Sequence, residues 1–393
     1  MTFQVSPSCA LHPHAPTLTD YELHGLRAEI SLADGHAYND IRTHFSEAID
    51  TLPLLWQRAA QSRIPDVEQL FRYQFGSLIR SPSLSRYRHF KICPTASNSI
   101  DLVAATLRGR NQTTYLVEPT FDNLALLLRR RGVQLSAIAE DALYGPDHDL
   151  TRQSLGRIPV GSALFLVNPN NPTGNEIDQA LLSVICQHCA DHRITLILDN
   201  CFRAFKRHHH DDYQLLIDSG CSFIAFEDTG KTWATQELKA SLVCYSADLA
   251  AAFEEIYNEV YLCVSNFILV LMSELFERTQ KIGLENSIIA IVETHRNWLR
   301  SVLRGSPLVV DHRSLHSRIS VEWLSCADLN MTDRALTAAL AERGLAILPG
   351  SPFYWAADPG GTNSRNVRVS LMKKQESFAA GLLILNEYLN SRR

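Results

Sequence analysis

Lys231 lies in Phe226-Glu227-Asp228-Thr229-Gly230-Lys231-Thr232-Trp233, directly after the apolar run Ser222-Phe223-Ile224-Ala225-Phe226. A lysine ending a buried strand is costly unless it is paired or used covalently. Gly230 beside it leaves room for the side chain to reach inward, where its amine can condense with an aldehyde. Upstream stand Asn168-Pro169-Asn170-Asn171-Pro172-Thr173-Gly174 and Leu196-Ile197-Leu198-Asp199; downstream come Lys239 and Asn366-Val367-Arg368-Val369-Ser370. A strand-end aspartate can keep a heterocyclic nitrogen protonated. A strand arginine can grip a carboxylate through paired hydrogen bonds. Taken singly, each has a plainer reading: a loop lysine, a helix cap, an Asn-Pro turn, a surface ion-pair partner. Only their order along the chain joins them.

These residues need a frame. From residue 90 the pattern alternates strand-like runs (114–117, 163–167, 195–198, 223–226, 242–245) with helical stretches such as 123–131 and 179–191. Such alternation predicts an α/β domain with a mostly parallel sheet. Functional residues then gather at the carboxyl ends of the strands. Asn168, Asp199 and Asp228 each follow such a run. A helical stretch over 247–304 leads to a terminal α+β part with strands at 318–323, 346–348 and 367–371 and helices at 333–343 and 375–390. Residues 1–50 read as an arm or lid, 51–290 as the large domain and 291–393 as a small one. In the arm, Thr19 can cap a short helix, with Glu22 at the capping-box spacing, and residues 30–37 turn at Gly35. Residues 1–40 have little apolar periodicity, so the arm is expected to add little to the core.

A lysine, an aspartate, an asparagine and an arginine in this order resemble the pyridoxal-phosphate site of fold-type-I aminotransferases. The likeness runs from about residue 90 to the C-terminus. That cofactor needs an aldehyde partner, a pyridinium partner, a phosphate cradle and a stacking surface. Lys231 can bind the aldehyde and Asp199 the ring nitrogen. Thr95, Ala96 and Ser97 precede a helical stretch, so their N–H groups and hydroxyls can meet an anion at its N-terminus. The resemblance further implies that Asn171 bonds the cofactor's phenolic oxygen, Phe121 stacks on its ring and Lys239 binds its phosphate. It implies that Arg368 holds a substrate carboxylate.

Two positions depart from that family. Phe202 stands where a tyrosine usually touches the phenolic oxygen. Asp228 stands where a phosphate-binding serine is usual, and a carboxylate against a phosphate is repulsive, so it should face a cationic substrate instead. With Ala33-Asp34-Gly35-His36-Ala37, Pro119-Thr120-Phe121-Asp122-Asn123, Glu140-Asp141-Ala142-Leu143 and Phe202-Arg203, these positions are similar to oxygen-using L-arginine oxidases and hydroxylases that make enduracididine-like amino acids. That likeness implies that the arm orders over bound arginine. It implies that Thr19, Glu22, Asp34 and Asp228 surround the guanidinium and that His36 lies near the reacting carbons. For His36, a solvated loop histidine is the plainer alternative.

The whole chain agrees with an enzyme of this kind. Its 393 residues exceed one ordinary core, and a formal charge of −5 argues against a nucleic-acid partner. No apolar run is long enough to predict a membrane span, and no signal peptide is evident. The expectation is a cytoplasmic protein. The nine cysteines, Cys244 and Cys263 among them, read as buried thiols. Cys186 and Cys189 fall inside a helix with no second pair to complete a zinc site. His208-His209-His210 reads as a polar loop. The expected protein is a homodimer that uses pyridoxal 5'-phosphate and dioxygen to turn L-arginine into 2-oxo-arginine or its 4-hydroxy derivative. An aminotransferase, a capreomycidine-type cyclase acting on hydroxyarginine and a regulatory cofactor-binding protein are the alternatives.

Overall fold

A computed structural model describes residues 15–145, 148–356 and 365–392. Residues 1–14, the start of the expected arm, lie outside them. The described chain enters through the helix Leu18–Gly25 and the short strand β1 (Ile30–Ser31). The main sheet then takes β2 (Phe90–Cys93), β3 (Thr114–Glu118), β4 (Leu135–Ala139), β5 (Ala163–Val167), β6 (Thr195–Asp199), β7 (Phe223–Asp228) and β8 (Ser241–Tyr245). Its order is β2-β8-β7-β6-β5-β3-β4, with β8 alone antiparallel to its neighbours. Every residue of β5, β6 and β7 is buried. Their unbroken apolar runs follow from helices covering both faces of the sheet.

The second sheet is antiparallel and built from β9 (Val309–Val310), β10 (Val321–Ser325), β12 (Leu348–Pro349) and β13 (Asn366–Ser370). Between them β11 (Leu345–Ala346) pairs in parallel with β1 of the arm. The expected strand at 346–348 is therefore two strands. At Ile347 the chain leaves the arm's partner and joins β13. The strand expected at 318–323 begins at Val321, where pairing with Ser370 starts.

The helical stretch expected over 247–304 is also broken. It contains the helices Ala250–Val260, Asn266–Ile282 and Ala290–Leu303. Tyr261 turns extended, and Gly283, at φ 91°, stops the middle helix in a backbone region open to glycine. Cys263 lies exposed in the first break rather than in a buried run, whereas Cys244, Cys186 and Cys189 are buried.

The arm differs most from expectation. Thr17, not Thr19, caps its helix. The Thr17 hydroxyl accepts from the Asp20 N–H at 3.2 Å, and Asp20 Oδ2 accepts the Thr17 N–H at 2.9 Å. This earlier start buries Leu18, whose N–H donates to Asp122 Oδ2 at 2.9 Å. Leu18, Ala33, Trp323, Ala346, Leu348 and Phe353 form one buried cluster, and Leu32 joins the main core. The arm is thus part of the packed body, because a few well-spaced apolar residues suffice where no period is visible. Leu32→Ala is expected to lower unfolding stability by about 2–5 kcal/mol, read from denaturant midpoints. An unchanged midpoint would contradict the docked arm.

Candidate active site

The carboxyl ends of the parallel strands bring the chemistry together. Asp199 ends β6 and pairs in register with Val167 on one side and Phe226 on the other. Asp228 ends β7 opposite Ser241, and Ser241 also faces Cys93 at the end of β2. The next residues after β2 lead to Thr95, which caps the helix Ala96–Gly109 by accepting the Asn98 N–H at 3.3 Å. Ser99 and Ser241 join this helix to the sheet through a 2.7 Å hydroxyl contact. Ala96 and Ser97 form the helix's first turn, where N–H groups have no helical partner. Asn123 Nδ2 donates to Ser97 Oγ at 3.2 Å, which ties in the segment that carries Phe121.

Buried polar groups hold the loops that carry the other candidates. Glu140 has almost no solvent contact; it accepts from Asn170 Nδ2 at 2.7 Å and from Thr173. Burial pushes its carboxyl up to about 7, against the hydrogen bonds from Thr173 and Asn170. This fixes the turn that presents Asn171. After Asp199, Phe202 packs 6.0 Å from Phe205 between ring centres. Arg203 and Lys206 both reach Asp212 Oδ2, at 2.8 and 3.0 Å.

Asp199 is 6% exposed, and Oδ1 accepts the Cys201 N–H at 2.9 Å. Burial foremost, with Asp228 adding to it and Lys231 opposing, pushes its carboxyl up to about 6. It makes no ion pair among the described residues. Lys231 is half-buried, and its amine has no hydrogen bond or ion pair among them. A protonated ring nitrogen would give Asp199 its missing cation, and an aldehyde would give Lys231 its partner. The residues present therefore fit pyridoxal 5'-phosphate.

The arm and β13 bring a second group of charged residues together. Arg368 is 1% exposed. Its guanidinium donates to Ala33 O at 2.7 Å, Glu22 Oε1 at 3.1 Å and Asn171 Oδ1 at 3.2 Å. It lies 5.8 Å from the Phe121 ring centre and 5.4 Å from that of Phe353. Desolvation pulls it below its ordinary pKa, with Glu22 and Asp34 opposing. Burial disfavours a charged Asp34, yet the hydrogen bond from His36 and the charges of Lys231 and Lys373 outweigh it and hold that carboxyl well below the usual range. Asp228 is buried and accepts the Gly230 N–H at 3.1 Å. His36 Nε2 lies 2.9 Å from Lys239 Nζ. Thr19 remains exposed on its helix, apart from these groups.

Three residues that the sequence did not single out belong to the same enclosure. Lys373, 5% exposed, donates to the Asp34 carbonyl at 2.7 Å and lies 4.4 Å from the Tyr38 ring centre. Burial lowers its amine to about 8. Tyr38 and Glu237 meet at 2.8 Å. Only the distance of Tyr38 from His36 and of Lys373 from Arg368 along the chain could have hinted at them. Among the described residues no group of three or more potential metal ligands converges, and no helix is long and apolar enough to cross a membrane.

A mostly parallel sheet with a lysine, an aspartate and an asparagine at its strand ends defines a fold-type-I enzyme that uses pyridoxal 5'-phosphate. The chain belongs to the aminotransferase class I and II family, whose model matches residues 65–379. A structure of MppP soaked with the product 2-ketoarginine is 31% identical, with a TM-score of 0.84 over 92% of this chain and 99% of that one. Aspartate aminotransferase from Thermus thermophilus with maleate, at 14% identity and a TM-score of 0.76, shares the fold over 96% of this chain and 97% of its own. A histidinol-phosphate aminotransferase of Gloeobacter violaceus is 31% identical over 106 residues, 27% of this chain and 29% of that relative's length.

Lys231→Ala is expected to abolish the visible absorbance of the lysine-bound cofactor. Borohydride trapping and peptide mapping that placed the cofactor on Lys239 or Lys373 would overturn the assignment.

Proposed function

We propose that this protein is a pyridoxal-phosphate-dependent L-arginine oxidase that passes the substrate's electrons to dioxygen. The observation that carries this reading is the charge layout. A buried arginine already holds the Glu22 carboxylate; Lys373 lies in electrostatic range of it, of Glu22, of Asp34 and of Lys231, and Asp228 and Lys231 both act on Asp199. An amino acid needs one cation for its carboxylate, and an arginine side chain needs acids at the far end. The 2-ketoarginine soaked into MppP, the 2-oxo acid of arginine, points the same way.

In this reading, the substrate carboxylate replaces Glu22 on Arg368, and Glu22 turns with Asp228 to the guanidinium, with Asp34 beside them. Bound pyridoxal phosphate supplies an electron sink beside the α-carbon. Lys231 Nζ takes the proton from that carbon. Asp199 keeps the ring nitrogen protonated, Asn171 donates to the phenolic oxygen and Phe121 covers the ring face. Phe202 places a hydrocarbon where a hydroxyl donor is usual in the family. Thr95, Ala96 and Ser97 would donate hydrogen bonds to the phosphate and Lys239 would supply its counter-charge. His36 moves a proton near the oxidised carbons, and the docked arm excludes water. The overall balance is arginine, dioxygen and water giving 2-oxo-arginine, ammonium and hydrogen peroxide; hydroxylation at the fourth carbon is the further outcome and takes a second dioxygen and water, releasing a second hydrogen peroxide. The protein acts as a homodimer. In support, Leu54, Trp56, Val260 and Leu262 expose 55–96% of their surface on adjoining elements.

The test is oxygen uptake by the purified holoenzyme with L-arginine, followed by mass spectrometry. Oxygen consumption with no added keto acid is expected. Turnover only with a keto-acid acceptor would make the protein an aminotransferase. Asp228→Asn is expected to weaken L-arginine binding by about 1.5–3 kcal/mol, roughly ten- to a hundredfold, and norleucine binding little. Equal losses in spectral titrations with both ligands would remove Asp228 from guanidinium recognition.

A further inference from the structure

Five side chains form a ring of close polar contacts between the arm and the loop after Lys231, in which two carboxylates share the single Tyr38 hydroxyl hydrogen. Asp34 Oδ1 accepts the His36 backbone N–H at 2.8 Å and meets His36 Nδ1 at 2.7 Å. Its Oδ2 accepts from the Tyr38 hydroxyl at 2.9 Å. That hydroxyl also lies 2.8 Å from Glu237 Oε1, whose other oxygen pairs with Lys239 Nζ. Lys239 Nζ, 2.9 Å from His36 Nε2, closes the ring. An ammonium has hydrogens but no lone pair, so Nε2 must accept and the imidazole proton must sit on Nδ1, facing Asp34.

Two further observations mark this ring as built. Gln236 and Glu237 both adopt left-handed backbone, at φ 51° and 69°. Non-glycine residues hold that conformation where their surroundings over-determine it, and such positions cluster at functional sites. Gly230, next to Lys231, has no room for a side chain. An added Cβ would lie 2.8 Å from Lys239 Cδ and 3.2 Å from His36 Cδ2. The ring therefore packs directly on the residue before the lysine.

We propose that Tyr38 and Glu237 are positioning residues for His36: through Asp34 and Lys239 they fix its tautomer and aim Nε2 while the arm is docked. This rests on the reading of His36 as the group that moves a proton. Asp34 then serves an arginine substrate by its charge and His36 by its hydrogen bonds. The charged and titratable groups around the ring include, besides its own members, Lys231, Lys373, Arg368 and Asp228.

The test uses the holoenzyme labelled with 15N-histidine, comparing wild type with Tyr38→Phe and Glu237→Gln. His36→Gln assigns the signal. Wild type is expected to show His36 neutral and protonated on Nδ1. Both variants are expected to shift that tautomer balance, lower kcat several-fold and displace the pH profile of kcat, with KM for L-arginine little changed. Cofactor absorbance and thermal melting establish that each variant is folded, and Glu237, half-exposed, can lose its charge without opening the core. Unchanged His36 signals and an unchanged kcat profile in both folded variants would overturn the proposal. If wild type failed to oxidise arginine while the His36 signals still moved, the positioning role would stand and the arginine reading would fall.

Discussion

Arg368 is a charge removed from water, and much of the site follows from the need to satisfy it. It sits on β13 of the second sheet, yet its partners come from elsewhere: Asn171 from the loop after β5, and Ala33 and Glu22 from the arm. Phe121 and Phe353 cover its face. A buried charge that loses a partner destabilises by several kcal/mol. The arm, the main sheet and the second sheet are therefore held in one arrangement by a single guanidinium. In the proposed reading Glu22 is the member of this set that a substrate carboxylate replaces, because its side chain is partly exposed, 16% against 1% for Arg368.

The same constraint explains the far side of the enclosure. Asp199 is buried and makes no ion pair among the described residues, and burial foremost raises its pKa against the pull of Lys231. A pyridinium supplies the partner. Asp34, by contrast, is surrounded by His36, Lys231 and Lys373 and stays ionised. Lys231 faces both aspartates; Asp34 has Lys373 and the His36 hydrogen bond besides, whereas burial and the neighbouring Asp228 push Asp199 the other way. The cofactor supplies what Asp199 lacks, and in the proposed reading a cationic substrate does the same for the other acids.

Much of this frame was legible in the sequence. The strands β5, β6 and β7 announce themselves as apolar runs, and Asp199 and Asp228 fall at their ends, so the α/β fold could be read from local pattern. The arm could not. Leu18, Leu32 and Ala33 are buried by contacts with residues more than a hundred positions away, and three apolar residues show no period. Thr19 and Glu22 have the capping-box spacing, yet Thr17 caps because burying Leu18 sets the helix start. Tyr38, Glu237 and Lys373 sit in ordinary surroundings along the chain. Their roles arise only when the arm, the loop before β8 and the end of β13 converge. Sequence resemblance reached His36 and Lys239 but not the ring that joins them.

The exchange at Arg368 is most directly tested by a crystal structure of the holoenzyme with L-arginine bound. The account expects the substrate carboxylate on Arg368 and the guanidinium against Glu22 and Asp228, with the arm docked. A structure in which Glu22 stays on Arg368 and the substrate's guanidinium lies away from these acids would contradict it.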